Sequence, residues 1–157
     1  MSPMSSAIHM TAAAWNTIRQ EVAAGPSRLE TGGILLGHDY GDILQVTVAG
    51  DPGPNSQRTR DTFLRDRDHA ARLAAVAWEV DRARWIGDWH THPNTPPVPS
   101  PIDLASYARH LRDPDLDFDR FLSVIIGLDD QRQALVAGWI VTRDAVHPVP
   151  VRLGDPQ

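Results

Sequence analysis

Trp85-Ile86-Gly87-Asp88-Trp89-His90-Thr91-His92-Pro93, then Asn94 to Pro99, then Ser100-Pro101-Ile102-Asp103, changes character twice within nineteen residues. Trp85 to His92 reads as a strand, rich in aromatic and β-branched residues. Four prolines, Pro93, Pro96, Pro97 and Pro99, then forbid regular structure and stiffen the chain. Ser100 and Pro101 supply N-cap and first-turn chemistry for a helix, with Asp103 three residues past the cap. Side chains two apart on a strand share a face, so His90 and His92 aim their imidazoles at one point. Asp103 lies eleven positions after His92, where a rigid loop can bring the new helix back over the strand end. Two imidazoles and one carboxylate leave an open position on a zinc ion, the catalytic rather than the structural pattern. Water bound there would have its pKa lowered to about 7.

The remaining elements follow outward from this segment. Thr11 caps an amphipathic helix carrying Trp15, Ile18 and Val22, stopped by Gly25-Pro26. Thr31 to Leu36 and Ile43 to Val48 form a hairpin across the turn residues Gly37 to Asp42. Gly50 to Ser56 is a breaker-rich surface loop. A second helix begins near Asp66, with Leu73, Val76, Ala77 and Val80 at core spacing, and the helix opened by Ser100 turns Leu104, Ala108 and Leu111 inward before Asp113-Pro114. Phe121 to Ile126 and Leu135 to Val141 are strands joined at Asp129-Asp130. Val146 to Val151 adds an edge strand, because Pro148 and Pro150 cannot sit centrally. Among the tryptophans, Trp15, Trp78, Trp85 and Trp139 read as core, and Trp89 points away from the histidine pair. This irregular alternation predicts an α/β sandwich, a mixed β-sheet flanked by helices, in a single domain over 1–157 with flexible residues 1–8 and a tail at 152–157.

Composition narrows the function. Of 157 residues, 41% are hydrophobic, enough for one real core. No run reaches the roughly 20 apolar residues of a membrane span, and the first residues lack a signal-peptide pattern, so a cytoplasmic protein with no membrane partner is expected. Cysteine is absent, which excludes disulfides, thiolate metal sites and cysteine nucleophiles. A formal net charge of −5 with scattered basic residues argues against nucleic acid. All 15 basic residues are arginine; a GC-rich genome accounts for this, and so would selection against self-modification beside a lysine-directed ligase.

A hydrolytic site also needs a carboxylate to take and return the water's proton. Glu30, before the Gly32-Gly33 strand, is the candidate, and its assignment rests on a family resemblance. Glu30 ahead of an apolar Gly-Gly strand, then His90-Thr91-His92-Pro93, then Ser100-Pro101-Ile102-Asp103, resembles the signature of the JAMM (MPN+) zinc metalloproteases at every position. The resemblance implies a cytidine-deaminase-like fold and hydrolysis of the amide or isopeptide bond at the C-terminus of a ubiquitin-like protein. It implies one catalytic Zn2+ held by His90, His92 and Asp103, with Glu30 as general base and Ser100 helping to hold the oxyanion. A narrower likeness, in Glu30-Thr31-Gly32-Gly33-Ile34-Leu35-Leu36-Gly37, Gly53-Pro54 and Gly87 to Pro93, is to a bacterial JAMM group found beside E1- and E2-like enzymes in CBASS or ubiquitin-like conjugation operons, some of them anti-phage. The partners implied are the ubiquitin-like tail, its conjugate and those operon enzymes.

Other readings have their own signatures. Non-haem iron oxygenases also use two histidines and a carboxylate, but usually as His-x-Asp with a distant histidine. A peptidase acting on a sulfur-carrier protein would share the motif, and a non-catalytic MPN scaffold would have lost it. Ser-Pro-x-Asp is also a good helix start, a role expected to compete with metal binding at Asp103. Asp88 shares the His90 face, with an arginine as its expected partner.

Overall fold

A computed structural model describes residues 6–25, 28–131 and 133–154. In chain order it contains β1 (Ala7–Met10), α1 (Ala12–Ala24), β2 (Gly32–Asp39), β3 (Ile43–Ala49), β4 (Gln57–Arg58), β5 (Phe63–Leu64), α2 (Arg67–Asp81), β6 (Arg84–Pro93), α3 (Pro101–Arg112), β7 (Phe121–Leu128), β8 (Ala134–Val141), β9 (Val146–Val149) and β10 (Val151–Leu153). Eight strands form one mixed sheet in the order β10-β1-β3-β2-β6-β7-β8-β9, and β4 and β5 form a separate hairpin. The β1–β3, β1–β10 and β6–β7 pairs are parallel and the others antiparallel.

Residue alternation assigns the two faces. Leu35 on β2, with Leu122, Val124 and Ile126 on β7, joins the cluster covered by Ala14 and Ile18 of α1. Ile34 and Leu36 face Leu73 and Ala77 of α2, and Phe121 packs with Tyr107 and Leu111 of α3. Helices therefore cover both faces, the expected α/β sandwich. His90 and His92 lie in the central strand β6, which is paired on both sides, by β2 and β7.

Several expectations are corrected. Ala7 and Ile8, placed in a flexible start, belong to β1; Ile8 is fully buried and pairs with Leu44 and Val151. Four residues carry too little periodicity to signal a strand, and β1 is held by neighbours remote in sequence. Arg152 and Leu153, placed in a tail, lie in β10, and the single edge strand expected over 146–151 is two, separated at Pro150. Residues 1–5 and 155–157 lie outside the described residues. Helix α2 buries Ala77 and packs Ala70, Leu73 and Ala74, while Val76 and Val80 are exposed, as is Trp78, whose ring lies under the Arg82 guanidinium. In α3, Leu104 is exposed, and the inward row is Asp103, Tyr107 and Leu111. The sheet-facing side of α2 is mostly alanine, and α3 is phased with Asp103 inward. Among the described residues no helix is long and apolar enough to cross a membrane.

Candidate active site and metal centre

The β2–β6 pairing brings Glu30 to the histidine strand. Gly32 pairs with His90, and a Cβ at Gly32 would stand 2.3 Å from the Trp89 carbonyl oxygen and 3.0 Å from the His90 Cβ. Only glycine permits this approach. Beyond it, Thr31 N donates to Thr91 Oγ1 at 3.0 Å and Thr91 N donates to Thr31 O at 2.9 Å. Glu30 N donates to Thr59 O at 2.8 Å, so the β4–β5 hairpin fixes the backbone at Glu30 from the other side. These threonines were not singled out in the sequence, where neither spacing nor residue type marks them.

Helix α3 delivers the second carboxylate. Ser100 Oγ accepts from Asp103 N at 3.1 Å, and Asp103 Oδ2 accepts from Ser100 N at 2.9 Å, a complete capping box. The same Oδ2 lies 3.2 Å from His90 Nε2 and 3.0 Å from His92 Nε2. The cap was expected to compete with metal binding at Asp103; here it coexists with the histidine contacts, because a carboxylate oxygen has two lone pairs and the cap uses one direction. The proline loop holds the other side of the ring: His92 Nδ1 donates to Pro96 O at 2.9 Å. The loop in turn receives a hydrogen bond at Pro97 O from Trp139 Nε1, 3.0 Å long, and packs over Gly127.

His90 Nε2 and His92 Nε2 are 3.1 Å apart, completing a triangle of three donors with edges of 3.0–3.2 Å. Because the Nδ1 proton of His92 is committed to a carbonyl, a neutral ring presents a lone pair at Nε2. A carboxylate oxygen and two imidazole nitrogens thus converge on one point, where either protons on the rings or a bound cation must offset the carboxylate's charge. Ligands about 2.0–2.1 Å from a tetrahedral ion stand about 3.3 Å apart, close to the edges of this triangle. The residues present therefore fit a divalent metal, and the Nδ1–carbonyl bond is the usual outer support of a histidine ligand. Glu30 offers a carboxylate oxygen within 4.8 Å of both histidine nitrogens. All four side chains are buried.

The electrostatics separate the two acids. Burial raises Glu30 to about 7, against the attraction of His90 and His92 and with reinforcement from Asp103. Burial would also raise Asp103, but hydrogen bonds from His90 and His92 outweigh it and hold this carboxyl far below the usual range. His92 is pushed down by burial and up by the Asp103 carboxylate and the Pro96 carbonyl, with a net rise. One acid thus stays ionised while its neighbour is poised near neutrality, the separation that acid–base catalysis uses. Asp88 lies outside this group, as expected: its Oδ2 accepts from Arg65 at 3.3 Å and its Oδ1 from Trp85 Nε1 at 3.1 Å. Trp89 points to the opposite face, where Nε1 donates to Gly50 O at 2.8 Å.

Glu30, His92 and Ser100 open onto a cleft of about 1040 Å³. Its lining comes from separate stretches, the proline loop with Val98 and Ile102 on the one hand and Arg28, Arg60 and Asp61 on the other.

Residues 11–147 match the profile of a family described as prokaryotic homologs of the JAB domain. The chain is similar to a CD-NTase/cGAS isopeptidase of Pseudomonas aeruginosa, 32% identical over 133 residues, covering 83% of this chain and 84% of the relative. A CD-NTase/cGAS isopeptidase of Vibrio cholerae is 30% identical over 103 residues, with 64% of each chain covered. A probable metalloprotease of Sinorhizobium fredii is 33% identical over 104 residues, with 62% of each covered. The solution structure of protein DSY2949 from Desulfitobacterium hafniense shares the fold at a TM-score of 0.67 and 22% identity, over 95% of this chain and 94% of that one.

Proposed function

Because the chain belongs to the family of prokaryotic homologs of the JAB domain, we propose that it is a zinc-dependent isopeptidase of a CBASS-type conjugation system. It hydrolyses the amide that joins the C-terminal carboxyl of one protein to a lysine side chain of another. The observation that carries this reading is the triangle of His90 Nε2, His92 Nε2 and Asp103 Oδ2 with a second, near-neutral carboxylate at Glu30 facing it. The relatives named as CD-NTase/cGAS isopeptidases direct the choice of conjugated protein to a CD-NTase/cGAS enzyme. The ubiquitin-like tail expected from the sequence would present the same bond.

His90, His92 and Asp103 would hold the ion, and Asp103 stays ionised for this through its low pKa. Zinc held there would supply Lewis acidity, lowering the pKa of water to about 7 and polarising the scissile carbonyl. Glu30, buried beside the histidines, takes the proton of the attacking water and returns it to the departing lysine amine. The Ser100 oxygen already accepts from Asp103 N, which leaves its O–H proton to donate to the carbonyl oxygen as charge develops there. The extended substrate enters along the cleft. The sheet strand carrying the histidines is paired on both sides, so the edge next to Glu30 that remains for strand addition is that of the β4–β5 hairpin.

The test is metal content and turnover together. The purified protein should hold about one zinc per chain and release a CD-NTase from a lysine-linked conjugate, with loss of both on chelation and recovery on adding zinc. Iron with consumption of 2-oxoglutarate would replace this reading by an oxygenase. Release of a small amino acid from a sulfur-carrier protein, with conjugates untouched, would replace it by the processing peptidase. Stoichiometric zinc without hydrolysis would leave a scaffold.

A further inference from the structure

The stretches that line the cleft differ in chemistry. Val98 and Ile102 are both about half exposed on the proline-loop side, an apolar surface. Arg28 and Arg60 line the same cleft from the Glu30 side, both exposed, and among the described residues neither guanidinium has a hydrogen-bond or ion-pair partner. They come from separate stretches: Arg28 lies two residues before Glu30, and Arg60 is at the turn of the β4–β5 hairpin, next to the Thr59 carbonyl that binds Glu30 N. Some other arginines are engaged, Arg120 making a two-pronged bond to Asp39, Arg65 joining Asp88 and Arg82 lying over Trp78. Arg84, Arg112, Arg143 and Arg152 are as free as these two among the described residues, so what sets Arg28 and Arg60 apart is their place on the cleft beside Glu30. Asp61 lines the same cleft, and no ion pair joins it to either arginine.

We propose that Arg28 and Arg60 are specificity residues that read a carboxylate side chain, Asp or Glu, on the substrate strand within a few residues of the scissile bond. This rests on the isopeptidase reading for its substrate and adds the chemistry of the sequence around the bond. An extended chain presents alternate side chains to opposite sides. In the proposed pose a strand lying in the cleft has one row on Val98 and Ile102 and the other beside Arg28 and Arg60. The substrate that fits alternates apolar with acidic side chains. The chain as a whole carries a formal charge of −5, so its overall field repels an acidic segment. An acidic preference therefore requires a local cationic contact, and the two unpaired guanidinium groups beside the site supply one.

The experiment uses fluorescein-labelled six-residue peptides joined through their C-terminal carbonyl to a lysine side chain, with Glu or Gln placed at each position in turn. Dissociation constants are read by anisotropy on the metal-free protein, and kcat/KM on the zinc-loaded protein. One position should favour Glu over Gln by about 3- to 10-fold, the range expected for one or two exposed ion pairs, and the preference should shrink as salt is raised. In Arg28→Gln with Arg60→Gln it should vanish, and in Arg28→Glu with Arg60→Glu it should reverse. Arg152→Gln, on the exposed part of β10, should keep it. Equal affinity for Glu and Gln at all six positions, or a preference that survives the double Gln variant, overturns the proposal. If the zinc-loaded protein cleaves no peptide the isopeptidase reading fails, while the dissociation constants still decide whether the arginines select acid.

Discussion

Replacing Glu30 by Gln should stabilise the metal-free protein at pH 8 and leave its stability nearly unchanged at pH 4. Glu30 is buried, and burial raises its pKa from 4.5 to about 7. Below pH 4.5 the carboxyl is protonated in both folded and unfolded chains. Between 4.5 and 7 the unfolded chain gives up its proton and the folded one keeps it, so stability falls as pH rises. Above 7 both are ionised and the loss is complete. At about 1.4 kcal/mol per pH unit the full loss is at most about 3 kcal/mol, reduced by whatever solvent reaches the carboxylate through the cleft. Gln has the shape of the protonated acid and no charge to bury, so its advantage should grow by about 2–3 kcal/mol between pH 4.5 and 8. Urea unfolding of both proteins with EDTA at pH 4.5, 6 and 8 measures this directly. A difference that stays constant within about 0.5 kcal/mol would refute the reasoning and mean that Glu30 is solvated. The charge that serves catalysis would then carry no folding cost.

In the presence of zinc the same Glu30→Gln variant should bind the metal yet lose about 100-fold or more in turnover; loss of zinc by this variant with retention by Asp103→Asn would exchange the two acids' roles. His90→Ala with His92→Ala should reduce zinc, by atomic emission, from about one per chain to background. Ser100→Ala removes the acceptor for Asp103 N and should lower unfolding free energy by about 1 kcal/mol, with a turnover loss smaller than that of Glu30→Gln. Gly32→Ala forces a methyl against the Trp89 carbonyl; it should weaken zinc binding and activity together, and an unchanged zinc affinity would mean that β2 and β6 separate without moving His90.

What was legible in the sequence was local. His90 and His92 share a face by strand parity alone, and Ser100, Pro101 and Asp103 declare a helix start from three residue types. Asp103 uses one oxygen, Oδ2, both to cap its helix and to face the histidines, a sharing that residue types alone do not display. Glu30 carries no local signal, since its partner strand lies 60 residues away and only the β2–β6 register brings them together. Valine looked like core at positions 76 and 80, but hydrophobicity does not fix the phase of a helix whose sheet-facing side is Leu73 among the alanines 70, 74 and 77. Strand β1 was missed because a four-residue element has its evidence in its neighbours, Leu44 and Val151, rather than in itself.

Pro150 has a mechanical consequence. The strands on either side of it, β9 and β10, occupy opposite ends of the sheet order, with β9 on β8 and β10 on β1. The sheet therefore curls until its first and last strands meet, and Val151 and Ile8 both pack close to Gly138. This seam is a clasp whose release frees two borders at once, whereas opening at the central histidine strand must break ladders on both sides. Amide hydrogen exchange should accordingly run in two tiers: fast, near-coincident opening of β1, β9 and β10, and exchange in β6 and β7 only through global unfolding. The catalytic strand sits in the slow tier, so the clasp can breathe without disturbing the spacing of the histidines.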